Sequence, residues 1–200
     1  MQSTVHILVE GYAHPGKDGV YEASPTSSII FSDSKTILVD PGTNKDMLLS
    51  ALKNLKLETT DIDFIFLSHY HPDHFLNLSL FPGIDLYDGT MRWSNDKEYF
   101  YDTSGFIPGT SIKLLPTPGH APEHTSLLVE TKEGLVCIAQ DVFWWEGGKQ
   151  QSDNYEGLIN YIDPFASDMN ALKESRKKVL EVADIIIPGH GRKFTPPRLP

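Results

Sequence analysis

The sequence predicts a single mixed α/β domain over residues 1–200, with sheet faces covered by helices. Three observations carry that reading. Short apolar runs of strand-forming residues alternate with a few helical patterns in both halves of the chain. No internal repeat, low-complexity stretch or Gly/Ser linker divides it. The polar clusters fall at the ends of apolar runs, where α/β folds gather their ligands.

Taken in order, VHILVE (5–10) reads as a strand, and GYAHPGKDGVYEASP after it as a loop punctuated by Gly and Pro. SSIIF (27–31) and TILVD (36–40) are further strands, and Pro41-Gly42 turns the chain. Residues 44–56 set Met47, Leu48, Ala51, Leu52 and Leu55 at helical spacing, with Thr43 and Asp46 as a variant capping box. IDFIFL (62–67) is a buried strand that runs into a histidine-rich loop. SIKLLP (111–116), TSLLVE (125–130) and GLVCIA (134–139) repeat the strand pattern. Asp163-Pro164 reads as the N-cap and first residue of a helix. That helix sets Phe165, Met169, Leu172, Val179 and Ala183 on one face and turns Lys173, Lys177 and Lys178 to solvent. ADIIIP (183–188) is a last buried strand ending at GHG.

Composition narrows the function classes. A net charge of -10 repels nucleic acid at long range, yet leaves room for an enzyme that grips phosphate through bound cations. No apolar run has the length of a membrane span, and MQSTVHILVE lacks the pattern of a signal peptide, so a cytoplasmic protein without a membrane partner is expected. Cys137 is the only cysteine, which excludes an intrachain disulfide and a thiolate zinc cage. Within GLVCIAQD it reads as a small buried hydrophobe.

The chemistry concentrates in FLSHYHPDHF (66–75), where three of the eight histidines and one aspartate occupy six positions. His69 and His71 are two apart, so an extended loop points them to one side. Asp73 and His74 follow Pro72, where the chain turns into a helix start and aims them elsewhere. One segment can then serve two metal ions spaced as in two-metal hydrolases. His120 in TPGH, Asp141 at the end of VCIAQD and His190 in IIIPGHG each follow an apolar run, as does Asp40. Five histidines and two aspartates suffice for two sites with positions left for water. Such imidazole and carboxylate donors suit zinc first, then iron or manganese. Asp40 is balanced between a turn-capping carboxylate and a support for a ligand. His6 and His14 read as polar surface residues, and Ser68 as a turn residue.

HYHPDH matches the H-x-H-x-D-H motif of the metallo-β-lactamase superfamily, and LVDPG, TPGH, AQD and PGHG follow in that family's order. The resemblance spans nearly the whole chain. It implies the four-layer αβ/βα sandwich, two mixed sheets face to face with helices outside and a dinuclear metal site along one edge. It implies His69, His71 and His120 on one metal ion, Asp73, His74 and His190 on the other, Asp141 bridging both, and Asp40 supporting the loop. LVEGYA, NLSLFPG and ESRKKVLEVADIIIPGHG are similar to a group of small stand-alone members whose animal protein is implied to be an endoribonuclease on histone pre-mRNA. The helical C-terminal region of the glutathione-binding branch and the inserted domain of the β-CASP branch have no counterpart in the 200 residues.

The implied reaction is hydrolysis by a water shared between two divalent cations, with Asp73 as the catalytic group that orients it or takes its proton. The substrate is expected to be RNA or a small molecule, and the enzyme a phosphodiesterase or endoribonuclease. A thioester or lactone hydrolase is the alternative, and a non-hydrolytic di-iron redox or sensing protein is the alternative of another class. A homodimer is a further expectation. Candidate substrate contacts are Tyr12 and His14 in the loop after the first strand, Trp144, Trp145 and Tyr155 after Asp141, and Arg192 beside His190. His124, four residues after His120, is expected to bind no metal.

Overall fold

The computed structural model describes residues 2–101 and 105–197. Strand β1 (Thr4–Val9) is followed by a hairpin, β2 (Tyr12–Pro15) and β3 (Tyr21–Ser24), in the stretch read from sequence as a loop. Gly and Pro punctuation there marks a five-residue connection, not the absence of strands. Next come β4 (Ser27–Ser32), β5 (Lys35–Val39), helix α1 (Lys45–Asn54) and β6 (Phe64–Phe66). The α1 N-cap is Asn44, whose side chain accepts from the Met47 amide, so the expected Thr43/Asp46 box is displaced by one residue. Asparagine is as good a cap as threonine, and local spacing alone does not choose between neighbours.

Pro72 opens a one-turn helix, α2 (Pro72–Phe75), and its fixed φ suits that first position. Strands β7 (Asp85–Tyr87), β8 (Met91–Ser94) and β9 (Lys97–Phe100) complete a seven-stranded mixed sheet in the order β1-β4-β5-β6-β7-β8-β9. These three strands carry no strong alternation in sequence, because none of them has a fully buried face. A second mixed sheet follows, β10 (Lys113–Pro116), β11 (Thr125–Thr131), β12 (Gly134–Trp144) and β13 (Ile185–His190), in that order. Helices α3 (Tyr155–Asn160) and α4 (Met169–Val182) lie between its last two strands in sequence. The α4 N-cap is Asp168, which accepts from the amides of Asn170 and Ala171. Asp163 and Phe165 therefore precede the helix expected to begin with them.

Alternation of side chains explains the four layers. Ile30, Ile37, Val39, Phe64 and Phe66 of the first sheet meet Leu114, Leu127, Val129, Val136, Ile138 and Ile187 of the second in one core cluster. Their neighbours Ile29, Leu38 and Ile65 face the other way and pack with Leu48 and Leu52 of α1. On the far side Leu128, Cys137 and Ile186 pack with Leu158 of α3 and with Leu172, Val179 and Leu180 of α4. Each strand of period two thus serves two cores, which is the αβ/βα sandwich. Cys137 is fully buried, as its apolar surroundings predict. No helix of the described residues is long and apolar enough to cross a membrane.

Candidate metal centre

The polar residues converge at one end of the sandwich, where β5 and β6 run parallel and β12 and β13 do the same. Asp40 follows β5, the 69–74 segment follows β6, His120 follows β10, Asp141 lies in β12 and His190 ends β13. Two of these placements depend on unusual backbone. Asp40 has φ 47° and Gln140 has φ 45°, both in the left-handed region that costs a non-glycine residue free energy. At Gln140 the β12–β13 register slips, and its side-chain amide donates to the Thr26 carbonyl at 2.9 Å. The irregularity sets Asp141 toward the loops.

The donor atoms of His69, His71, His120 and Asp141 form one set within 4.8 Å of one another, and those of Asp73, His74 and His190 form another. Asp141 faces both. Its Oδ2 lies 3.2 Å from His120 Nε2 and 3.9 Å from His69 Nε2, and its Oδ1 lies 3.5 Å from His74 Nε2 and 3.7 Å from His190 Nε2. Within the second set His190 Nε2 is 3.3 Å from Asp73 Oδ2. The structure therefore brings together all seven side chains that the sequence singled out. Gly189 is what permits the approach, because a Cβ there would fall 1.7 Å from Asp141 Oδ1.

Outer contacts turn the rings. His74 Nδ1 is 2.7 Å from Asp40 Oδ2, His120 Nδ1 is 2.7 Å from Asp163 Oδ2, and His190 Nδ1 is 2.9 Å from the Tyr12 carbonyl. His69 Nδ1 lies 2.9 Å from Ser68 Oγ, which itself donates to Asp40 Oδ2 at 2.6 Å. Four imidazoles thus have Nδ1 engaged and Nε2 directed inward, whereas His71 presents Nδ1 at 2.9 Å from His120 Nε2. Asp40 is the loop support that the sequence weighed against a simple turn cap. Ser68 is more than a turn residue, since it links Asp40 to His69. Tyr70 and Asp163 are additions. Tyr70 accepts no role in the sequence reading, yet its hydroxyl donates to Asp88 and its amide to Glu123, holding the loop between His69 and His71.

The arrangement fits a pair of cations. His69 Nε2, His74 Nε2 and Asp141 Oδ1 are buried and have no hydrogen-bond partner. Each such orphan costs about 1–3 kcal/mol unless something else binds it. Burial pushes the His69 imidazole well below its ordinary pKa, with His74 adding to the effect, and burial lowers His71 as well. Both are then neutral donors at neutral pH. Burial also penalises charge on His120, but its contacts with Asp141 and Asp163 win and raise it to about 9. Burial works against the Asp141 carboxylate too, yet His74 and His190 hold it well below the usual range. The carboxylate charge is thus retained in the centre, where it favours cations.

A chamber of about 330 Å³ opens over both sets, lined by Ala13, Tyr21 and Ala23 on one side and Trp144 and Phe165 on the other, with Pro72 at its base. Of the expected substrate contacts, Trp144 is in this lining. Trp145 is a core residue instead, fully buried against Phe143 and Tyr161. Successive residues of a strand point to opposite faces, so Trp144 and Trp145 cannot share a wall. Tyr155 lies in a separate groove between α3 and α4, and the Arg192 side chain is 85% exposed beside Glu10. Tyr12 contributes its carbonyl to His190 and its hydroxyl accepts from Asn44, while His14 stacks on the Tyr12 ring. Tyr21, Phe165 and the two alanines also line the chamber, and as isolated residues they carry no motif that marks them in the sequence.

Comparison with known proteins agrees with this geometry. The profile of the Metallo-beta-lactamase superfamily matches residues 21–85. Metallo-beta-lactamase domain-containing protein 1 of Xenopus laevis is 32% identical over 199 residues, covering 96% of this chain and 81% of that protein. An N-acyl homoserine lactonase of Bacillus cereus is 28% identical over 74% of this chain and 63% of its own length. The structure of AidC, a dizinc quorum-quenching lactonase, superposes with a TM-score of 0.62 at 17% identity, over 86% of this chain and 73% of that one.

Proposed function

We propose a function from one premise: the chain belongs to the metallo-β-lactamase superfamily and is a metal-dependent hydrolase of that family. Its substrate in this reading is a small, uncharged carboxylic acid derivative, an ester, lactone or thioester. The observation that carries this is the chamber, whose lining among the described residues holds no lysine or arginine and, besides the histidines, only Asp73 and Asp141 as charged side chains. Its volume lies at the low end for small-molecule sites. RNA binding draws on cations along the phosphate backbone, and the chain's net charge of -10 adds no such attraction.

His69, His71, His120 and Asp141 would hold one divalent cation, and Asp73, His74, His190 and the same Asp141 the other, with zinc the first choice for an all-imidazole and carboxylate set. Such ions supply a lowered pKa for water and Lewis-acid polarisation of the carbonyl oxygen. The chain's own groups do the rest. Asp73 directs Oδ2 at His190 and lines the chamber, which supports a reading in which its other oxygen orients the attacking water or accepts its proton. Trp144 and Phe165 close one side and limit bulk water around the scissile bond.

The test is a metal analysis joined to a substrate panel. The expected result is close to two zinc per chain, with turnover of p-nitrophenyl butyrate, a γ-lactone or an acyl thioester exceeding that of bis-p-nitrophenyl phosphate and single-stranded RNA. Cleavage confined to the phosphodiesters would transfer the assignment to a nuclease. Bound iron with an oxygen-dependent spectrum and no hydrolysis would transfer it to a redox or sensing protein.

A further inference from the structure

We infer that Phe165, Trp144 and Tyr21 form a subsite for an apolar substituent of the substrate, and that this subsite sets a preference for longer acyl chains. The inference rests on the ester-type reading above and narrows it to substrates carrying an uncharged, apolar group.

Large apolar residues near a catalytic centre are usually tucked away, but here they stand at the mouth. Phe165 is 63% exposed and Tyr21 is 48% exposed. Both line the chamber, from opposite sides. The Phe165 ring packs on Trp144 with centroids 5.6 Å apart, so the wall continues from solvent down to a tryptophan that is 95% buried and reaches the His190 ring at 6.2 Å. Opposite it, Ala13 and Ala23 are cross-strand partners in the β2–β3 hairpin. Paired residues of an antiparallel ladder share a face, so two small side chains coincide where the chamber needs room. Trp144 and Phe165 on one side, and Tyr21 with the two alanines of the hairpin on the other, leave an apolar slot beside the donor atoms.

The slot offers nothing to an anion. Among the described residues its lining holds no lysine or arginine. A chain of methylenes, by contrast, gains about fourfold in binding for each CH₂ taken from water. The wall is also separable from the metal-holding network. Phe165 donates its backbone amide to Asp163 Oδ1 at 2.9 Å, and Asp163 Oδ2 holds His120. Truncating the Phe165 side chain removes the wall and keeps that amide.

The experiment measures kcat/KM for p-nitrophenyl acetate, butyrate, hexanoate and octanoate with the metal-loaded wild type, Phe165→Ala and Ala23→Met. It also measures calorimetric binding of 2-decanone, an uncharged ketone with no bond to hydrolyse. The wild type is expected to favour octanoate over acetate by on the order of 50-fold, three well-buried methylenes at about fourfold each. In Phe165→Ala that ratio falls below tenfold and the ketone binds about tenfold more weakly, at unchanged metal content. Ala23→Met, which fills the slot from the other wall, lowers the ratio as well.

Ester turnover with no chain-length preference in the wild type would overturn the subsite and leave the hydrolase assignment standing. Absence of ester, lactone and thioester turnover beside active phosphodiester cleavage would overturn the assignment itself. Equal binding of the ketone by wild type and Phe165→Ala would overturn the subsite whichever substrate proves right.

Discussion

Asp163 Oδ2 sits 2.7 Å from His120 Nδ1, across 43 residues of sequence, and both side chains are buried. A carboxylate behind an imidazole fixes its tautomer and ring plane and raises its strength as a donor. Burial alone would push the Asp163 carboxyl up, but His120 outweighs it and keeps the group ionised. Asp163→Ala is expected to weaken binding of the metal ion that His69, His71 and His120 would hold by about 10- to 100-fold. The ion at Asp73, His74 and His190 should be affected less. Competition with a chromophoric chelator reads both steps, and equal weakening of the two would remove Asp163 from this role.

Arg176 is fully buried in α4 and forms no ion pair within salt-bridge distance among the described residues. Its Nε donates to the Val142 carbonyl at 2.9 Å, and its Nη1 to the carbonyls of Ile159 at 3.2 Å and of Tyr161. It therefore ties the end of α3 to the residue after Asp141. Burial lowers its pKa to about 10, still high enough to keep the charge at neutral pH. Arg176→Met leaves three carbonyls without their donor, at about 1–3 kcal/mol each where no water reaches them. Urea unfolding is expected to show a loss of roughly 3 kcal/mol, with Arg176→Lys recovering part of it; a loss below about 1 kcal/mol would mean the tie is dispensable.

Asp33 clips the turn between β4 and β5 to the segment before β10. Its Oδ2 accepts from the Ser111 amide at 2.7 Å and from the hydroxyls of Ser111 and Ser32, each at 2.8 Å. The Ser111 amide is the main cause of its lowered pKa. A carboxyl depressed in the folded state stabilises above its unfolded pKa, and that contribution fades as pH falls through the folded value. The stability gap between wild type and Asp33→Ala should then be constant above about pH 5 and shrink between pH 4 and 2. The group is exposed, so the gap is small, below about 1 kcal/mol. A gap that stays unchanged down to pH 2 would remove the ionised carboxylate as its source.

The seven candidate donors were legible because four of them, three histidines and an aspartate, crowd into 69–74 and the others follow apolar runs that end in turns. Strand period and helix spacing pointed to a mixed α/β domain, and the four layers came from the family resemblance; in the fold Ile29 and Ile30 face opposite ways, into two cores. What escaped was the long-range partnership. Asp163 looks like a helix cap to any local rule, because an aspartate before proline is a good start for a helix. Its capture by His120 needs the tertiary fold, and Asp168 caps α4 in its place. Gln140 shows no sequence sign of its left-handed backbone, which the β12–β13 irregularity imposes. Trp144 and Trp145 are indistinguishable as letters, and only the facing of β12 sends one to the chamber and the other to the core.

His124 separates packing from ligation. Its ring lies 5.0 Å from that of His69, its Nδ1 is 2.9 Å from Thr117 Oγ1, and it belongs to neither donor set. Burial lowers its pKa to about 3, so it remains neutral at any pH the folded protein meets in ordinary use. It acts as a spacer behind His69. His124→Ala is expected to keep both metal ions and lose about 2–4 kcal/mol of stability from the cavity left behind. Asp141→Ala is expected to do the reverse. One oxygen of Asp141 faces each set, so its removal lowers the affinity of both, and activity goes with the metal. Elemental analysis per chain after dialysis, paired with urea unfolding, reads the two effects independently. If His124→Ala sheds metal as Asp141→Ala does, the donor sets drawn here are wrong. If Asp141→Ala retains two ions with full turnover, Asp141 does not bridge them.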